Sequence, residues 1–449
     1  MHADRPARFR DVFASGEFRA LYVGGGLSWV GDYAARAAVT AMVYERTGSA
    51  AASAAAFAIS YAPWLLGGSV LVSIAERYPY RRVMVWCDVA RMITMVGLAA
   101  LGASLALPAL LALLLLCALF TPPFEAARSA TMPQVLGPDR YVTGIGLNTA
   151  TAPPAQVAGY FLGAAIASFD PRLALALNAV TFGISALLVR YGVRLREPAL
   201  RPERRTGLLR ETGDGFRLVF TNPALRAMVL LVFAASLFAV VPEGLGAAWA
   251  GHRTDGLGRA WAQGLLMGAV PAGMVLGALA ASRLLRPSWR HNALRPLALA
   301  TPLALAPTIL DPPILVTATL ALVAGFATGA LLPVANGEFV RALPSAYRAR
   351  AFGVVSAGLQ LLQGFAVLVT GALALRADLP VVVGLWSLAG VVLMVGMLMA
   401  WPSPAAFADA GARAAAMDES GSVMQAARSH HPDDQAVRLD QPARLEQSA

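Results

Sequence analysis

Residues 74–91 read IAERYPYRRVMVWCDVAR, four arginines and two acids set between long apolar runs. Residues 50–75, AAASAAAFAISYAPWLLGGSVLVSIA, run into it, and residues 92–120, MITMVGLAALGASLALPALLALLLLCALF, follow. Only 14% of the 449 residues are charged and 57% are hydrophobic, too little charge to cover a water-soluble surface of this size. The solvent is therefore lipid for most of the chain. A helix needs roughly 20 apolar residues to cross a hydrocarbon core of about 30 Å. Such runs recur near 19–43, 50–74, 83–104, 108–127, 142–167, 172–192, 224–247, 261–282, 293–310, 313–336, 351–374 and 379–401. The expected fold is an all-α membrane protein of twelve transmembrane helices. The first run lacks an A-x-A-type cleavage site and reads as a retained helix.

All 36 basic residues are arginine. A chain without lysine has no Walker A loop and no Schiff-base lysine, so it cannot use ATP through a P-loop of its own. The arginine bias also hints at a high-GC bacterial genome. With the N-terminus inside, the inner loops hold 21 arginines and the outer ones five, Arg46, Arg172, Arg253, Arg259 and Arg376. This positive-inside bias places both termini in the cytoplasm of a bacterial membrane. The net charge of +10 is then a topology signal and a lipid contact, with no nucleic-acid partner implied. Cys87 and Cys117 lie inside apolar runs, as small core residues with no disulfide framework. The five histidines fall in loops or tails, leaving no acid–base or metal set at depth, so no enzyme and no cofactor are expected.

The expected organisation is a cytoplasmic N-terminus (1–18), a six-helix bundle (19–192), a central loop (193–222), a second six-helix bundle (223–401) and a disordered cytoplasmic tail (402–449). Within the central loop GLLRETGDGFRLVF has the pattern of a short interfacial helix. The two bundles share an ordered series of matches. Glu125-x-x-Arg128 answers Glu338-x-x-Arg341, then Pro133, Arg140, Gly144 and Gly163 answer Pro344, Arg350, Gly353 and Gly371. Parallel six-helix repeats place a substrate site at mid-depth between two rocking halves.

The turn after the second run resembles the signature of the major facilitator superfamily, Gly-x-Leu-Ala-Asp-Arg-x-Gly-Arg-Arg/Lys. In VSIAERYPYRR, Ala75, Arg77, Arg81 and Arg82 match, while Val72, Ile74, Glu76 and Pro79 replace family residues. GALAASR in the second half keeps Gly277, Leu279 and Ala280. DVAR (Asp88, Arg91), PPFEAARSATMP and LALNAVTFGISALLV resemble a bacterial branch of siderophore and drug exporters. The likeness covers about residues 15–400. It implies that Glu76, with Arg77 and Arg82 beside it, docks on the dipole of helix eleven near Arg350 when the cytoplasmic side shuts, while Arg81 or Arg82 pairs with Glu125. The other reading of these charges is a solvated loop.

Charge at depth is expensive, on the order of 2.5–3.5 kcal/mol per residue on insertion scales, and marks function by default. In LSWVGDYAARAAV, Asp32 lies near mid-depth and Arg36 one turn beyond it. Two readings are open, an intrahelical ion pair that fixes packing or a protonatable switch tuned by burial and Arg36. Glu243 occupies the repeat position of Arg36, either to pair with it and close the outer side or to serve packing. Asn148, Gln156, Gln360 and Gln363 are the uncharged candidates for a central cavity; the alternative is bonding between helices. Gly159-x-x-x-Gly163 reads as a close-packing motif. Tyr160 stands where antiporters of the superfamily often carry a proline, and PALLALLLLCALF lacks the arginine often found in helix four.

The expected function is secondary transport of a small apolar or amphipathic metabolite or drug, as proton-coupled efflux by alternating access from a monomer. The partners are then the small-molecule substrate, protons and membrane lipid. Import or facilitated exchange of a polar nutrient is the alternative within transport, and a non-transporting sensor or scaffold is the alternative outside it.

Overall fold

The computed structural model describes residues 9–65, 77–102, 104–196, 208–344 and 347–429, and every regular element among them is helical. The first half holds α1 (Phe9–Phe13), α2 (Gly16–Thr47), α3 (Ala50–Ala58) continued by a 3-10 turn into α4 (Ala62–Leu65), α5 (Tyr80–Leu101), α6 (Leu107–Leu119), α7 (Thr121–Ala167) and α8 (Pro171–Gly192). The second half holds α9 (Leu208–Thr221), α10 (Pro223–Ala239), α11 (Val241–His252), α12 (Arg259–Leu284), α13 (Pro287–Leu305), α14 (Ile314–Arg341), α15 (Arg348–Leu373), α16 (Leu379–Met399) and α17 (Pro404–Ser429). Side-chain caps fix several starts. Ser15 accepts from Phe18 N, Asp170 from Arg172 N, and Asn222 from Ala224 N and Leu225 N, each satisfying N–H groups that a helix end leaves open.

Nine helices among the described residues are long and apolar enough to cross a membrane. Three of the twelve expected runs do not appear in that set, for separate reasons. Asp32 and Arg36 lower the hydropathy of α2. The run at 50–74 continues into residues 66–76, which lie outside the described residues. The run at 142–167 is diluted by Asn148, Gln156, two prolines and several threonines.

Helix four is longer than its expected span. The apolar segment runs from Leu107 to Gly137, and α7 then turns within itself at Gly137, whose φ of 67° is a backbone state that favours glycine. Arg128, expected in a loop, is therefore helical and buried. Pro404–Ser429 also departs from expectation, since it is helix where a disordered tail was expected over 402–449, of which 430–449 lie outside the described residues. The alanines of its first turns favour helix, and Ala410 and Ala414 are buried, Ala410 in a cluster with Leu225, Met228 and Phe339. The interfacial helix expected in the central loop corresponds to α9.

The packing places a site between the halves. In the first half α2 lies against α7 and α8, and α5 against α8; in the second, α12 lies against α14. Across the halves α7 meets α12, α15 meets α3, and α11 meets α2 and α3. Gly163 permits the α2–α7 contact as its motif suggested, because a Cβ there would come within 2.2 Å of Ala34 O. One apolar core spans both halves, with Ala37, Phe57 and Tyr160 from the first and Leu245, Trp249 and Val367 from the second. It lies toward the end with few arginines. Gln263 Nε2 donates to Ala37 O at 2.8 Å there, and Arg259 pairs with Glu45 at 2.8 Å. Toward the arginine-rich end the cores are separate, Phe18 with Met84 and Phe124 in one half, Leu225 with Phe339 and Ala351 in the other.

Candidate functional site

A cavity of about 290 Å³ lies at mid-depth beneath the shared core, walled by α2 to α8 and by α15. Trp29, Tyr33, Tyr61 and Trp64 give it aromatic walls, and Asp32, Arg36, Glu125, Asn178 and Gln360 face it. Three of the six expected coupling or binding residues thus share one chamber, Asp32, Arg36 and Gln360. Gln363, one turn beyond Gln360, is not among its lining residues. Asn148 belongs to a neighbouring cavity of about 370 Å³ that shares Trp29 and Glu125 with the first.

Asp32 and Arg36 do not form an intrahelical ion pair, one of the two readings the sequence left open. Asp32 turns to other helices instead. Its Oδ1 accepts from Asn178 Nδ2 at 3.3 Å, and its Oδ2 stands 4.0 Å from Arg91 Nη1. Arg91 Nη2 in turn donates to Asp88 Oδ1 at 2.5 Å, and the guanidinium carbon lies 4.4 Å from the ring centroids of both Phe124 and Phe182. Asp88 is wholly buried and Arg91 nearly so, while the Asp32 side chain keeps 32% exposure to the chamber. Arg36 lies over the rings of Tyr33, Phe57 and Tyr61 at 5.1, 5.2 and 5.7 Å, a cation–π cage in place of a carboxylate.

The expected pairing of Glu125 with Arg81 or Arg82 is also absent. Arg81 Nη1 donates to Val193 O at 3.2 Å, tying the start of α5 to the end of α8. Glu125 pairs one turn along its own helix with Arg128 at 3.3 Å, and Arg128 Nη2 donates to Asn148 Oδ1 at 2.9 Å. Arg128 also lies over Trp29 at 4.5 Å. Its side chain points into the first half, so helix four does carry a buried arginine, one residue past the expected span. Arg77 and Arg82 are exposed, and Glu76 lies outside the described residues.

Glu243 is buried at the roof of the site but does not pair with Arg36. Its Oε1 accepts from Gln156 Nε2 at 2.9 Å and from the Tyr160 hydroxyl. Both donors lie on α7 of the opposite half. Tyr160, noted in the sequence only as a departure from a proline pattern, is thus one of the polar ties between the halves.

Sequence reasoning missed Asp88, Arg91 and Asn178 as site residues. A signal was present, because Asp88 and Arg91 fall inside the expected span 83–104, and the rule that singled out Asp32 applies equally to them. Asn178 carried the same signal as Asn148 and Gln156, an amide inside an expected span (172–192), and was passed over.

The model of the Major Facilitator Superfamily matches residues 21–321. The chain belongs to that superfamily. It is a multi-pass membrane transporter, with a transport and not an enzymatic role. Solved transporter structures superpose over most of the chain. A point mutant of the nucleoside transporter NupG is 15% identical with a TM-score of 0.69, covering 86% of this chain and 100% of its own. A POT family transporter in complex with 5-aminolevulinic acid is 12% identical with a TM-score of 0.66, covering 86% and 96%. The peptide transporter POT in complex with sulfate is 15% identical with a TM-score of 0.63, covering 88% and 98%. At these identities the likeness concerns the fold, and the site must speak for the substrate. Comparison with curated proteins gave no match.

Proposed function

We propose that this superfamily member couples the proton gradient to efflux of a small amphipathic compound by alternating access, with Asp32 as the group that takes up the proton or the substrate's cationic end. The charge balance of the chamber and its walls carries the reading. Four carboxylates (Asp32, Asp88, Glu125, Glu243) stand against three guanidinium groups (Arg36, Arg91, Arg128). One negative charge is in excess at depth, where it is costly, and one proton or one monovalent cation balances it. Asp32 is the acid placed to receive either, since it faces the chamber and has only a loose hold on Arg91. The aromatic walls suit an apolar body attached to that charge.

The arginine bias supports a cytoplasmic position for the arginine-rich end in a bacterial membrane, with both termini inside. The shared core at the opposite end then gives a chamber facing the cytoplasm, the state that loads an exported compound. The test is transport of a fluorescent lipophilic cation into inverted vesicles under an imposed proton gradient. Wild-type protein is expected to accumulate the probe, and Asp32→Asn to abolish accumulation while keeping part of the downhill exchange. Uphill pumping by Asp32→Asn at the wild-type rate would place the coupling elsewhere. Uptake of nucleosides or peptides in place of the probe would favour import, and no flux of any solute would favour a sensor.

A further inference from the structure

The proposed role of Asp32 leaves the wholly buried Asp88–Arg91 pair behind it unexplained. A structural ion pair would enclose both charges, with each donor and acceptor turned to the other. Here the guanidinium reaches two carboxylates on two helices. Nη2 holds Asp88 of α5 tightly, Nη1 faces Asp32 of α2 at 4.0 Å, and Nε has no hydrogen-bond partner. Asp88 Oδ2 is likewise buried, with only the Ser185 hydroxyl beside it. The aromatic rings of Phe124 and Phe182 contact the guanidinium without fixing it by a directed bond.

We infer that Arg91 is a counter-ion divided between Asp32 and Asp88, so that Asp88, which no substrate can reach, sets the proton affinity of Asp32. This rests on the reading of Asp32 as the proton carrier. When an Asp32 oxygen takes a proton from chamber water, Arg91 gives its whole charge to Asp88. When Asp32 returns that proton to chamber water, Nη1 shares the charge again. The carboxylate of Asp88 competes for the cation throughout and keeps Asp32 easier to protonate than an undivided Arg91 would allow. The other ionisable groups acting on Asp32 are Tyr33 and Arg36 on its own helix, Cys117 on α6 and Glu125 on α7. Each of these remains in the variants below, so their contribution is common to all.

The measurement is an infrared pH titration of the full chain in lipid nanodiscs, following the C=O stretch of protonated carboxyl groups. The band lost in Asp32→Asn identifies Asp32. Asp88→Asn removes the competitor, and the midpoint of the Asp32 band is expected to fall by about 1 unit or more. The double variant Asp88→Asn/Arg91→Gln removes both charges and leaves no buried carboxylate orphaned, and its midpoint is expected to rise past that of wild type, since Asp32 then holds no share of a cation. An Asp32 midpoint unchanged in folded Asp88→Asn overturns the inference and leaves the Asp32 reading intact. Absence of any titrating band assignable to Asp32 overturns both. Should Asp88→Asn not fold, the double variant is compared with wild type directly. A raised midpoint then supports the divided counter-ion, and an unchanged one overturns it.

Discussion

The two halves share a fold and differ in what they bury. Of the four charged residues buried among the described ones, Asp88, Arg91 and Arg128 belong to the first half and Glu243 to the second. Glu243 takes both of its hydrogen bonds from the first half. Apart from the Gln263 amide, the described part of the second half otherwise buries hydroxyl groups that need no partner of opposite charge, such as Thr301 against Thr328 at 3.1 Å. A second-half cavity of about 250 Å³, lined by Met228, Val232, Phe339 and Phe352, is apolar except for Asn336 and Ser356. The cavity beside Asn148 in the first half holds the Arg128–Glu125 pair. The lesson is a division of labour between repeats. The first half carries most of the buried charge, and the second half, among the described residues, buries mainly apolar and hydroxyl groups.

The largest effect should follow from breaking the first half's ionic interior. Arg91→Leu strands Asp88 without a cation in a site closed to water and is expected to cost about 3–5 kcal/mol. Thermal unfolding of purified protein checks this, and neutralising Asp88 as well should restore most of the loss.

A smaller effect is expected at Glu243, the one buried charge of the second half among the described residues. Glu243→Leu leaves Gln156 and Tyr160 without their acceptor, a loss of about 1–3 kcal/mol from contacts between the halves. The ends with few arginines should then separate more often. Spin labels at Thr47→Cys and Leu257→Cys should report a longer and broader distance distribution, whereas an unchanged distribution would make Glu243 a packing residue.

The matching change inside the second half should be milder. Thr328→Val removes a hydroxyl whose partner Thr301 also bonds Leu297 O, so a cost of about 1 kcal/mol is expected, with transport retained. A loss as large as that of Arg91→Leu would erase the contrast between the halves.

The smallest effect lies outside the membrane, where Arg253 pairs with Asp255 at 2.6 Å and with Asp311 at 2.7 Å. The hydrogen bond from Arg253, and after it the one from Ile314 N, hold the Asp255 carboxyl below its ordinary value of 3.8. A lowered folded-state value means stability present above that ordinary value and lost as pH falls through the folded one. Asp255→Asn should therefore lower the melting temperature slightly at pH 7, and the difference from wild type should vanish in strong acid. A difference that persists there would assign the effect to the backbone, since Asp255 sits at a φ of 48°.

By itself the sequence determined the solvent and the class of fold. Apolar runs of membrane length, an arginine bias between alternate loops and ordered matches between halves follow from composition and spacing, and no tertiary contact is needed to read them. It also marked Asp32, Arg36 and Glu243 as charges that lipid would not tolerate alone. It did not choose their partners. Spacing along one helix suggested Asp32 with Arg36, yet Arg91 lies 59 residues away and Asn178 lies 146 residues away, and these are what Asp32 meets. The same holds for Glu243, whose partners stand on α7 of the other half. A charge at depth is satisfied by whichever helix the packing brings to that face, and glycine contacts such as Gly163 on Ala34 set that packing. Helical periodicity gives the face, and only the tertiary structure decides which neighbour covers it.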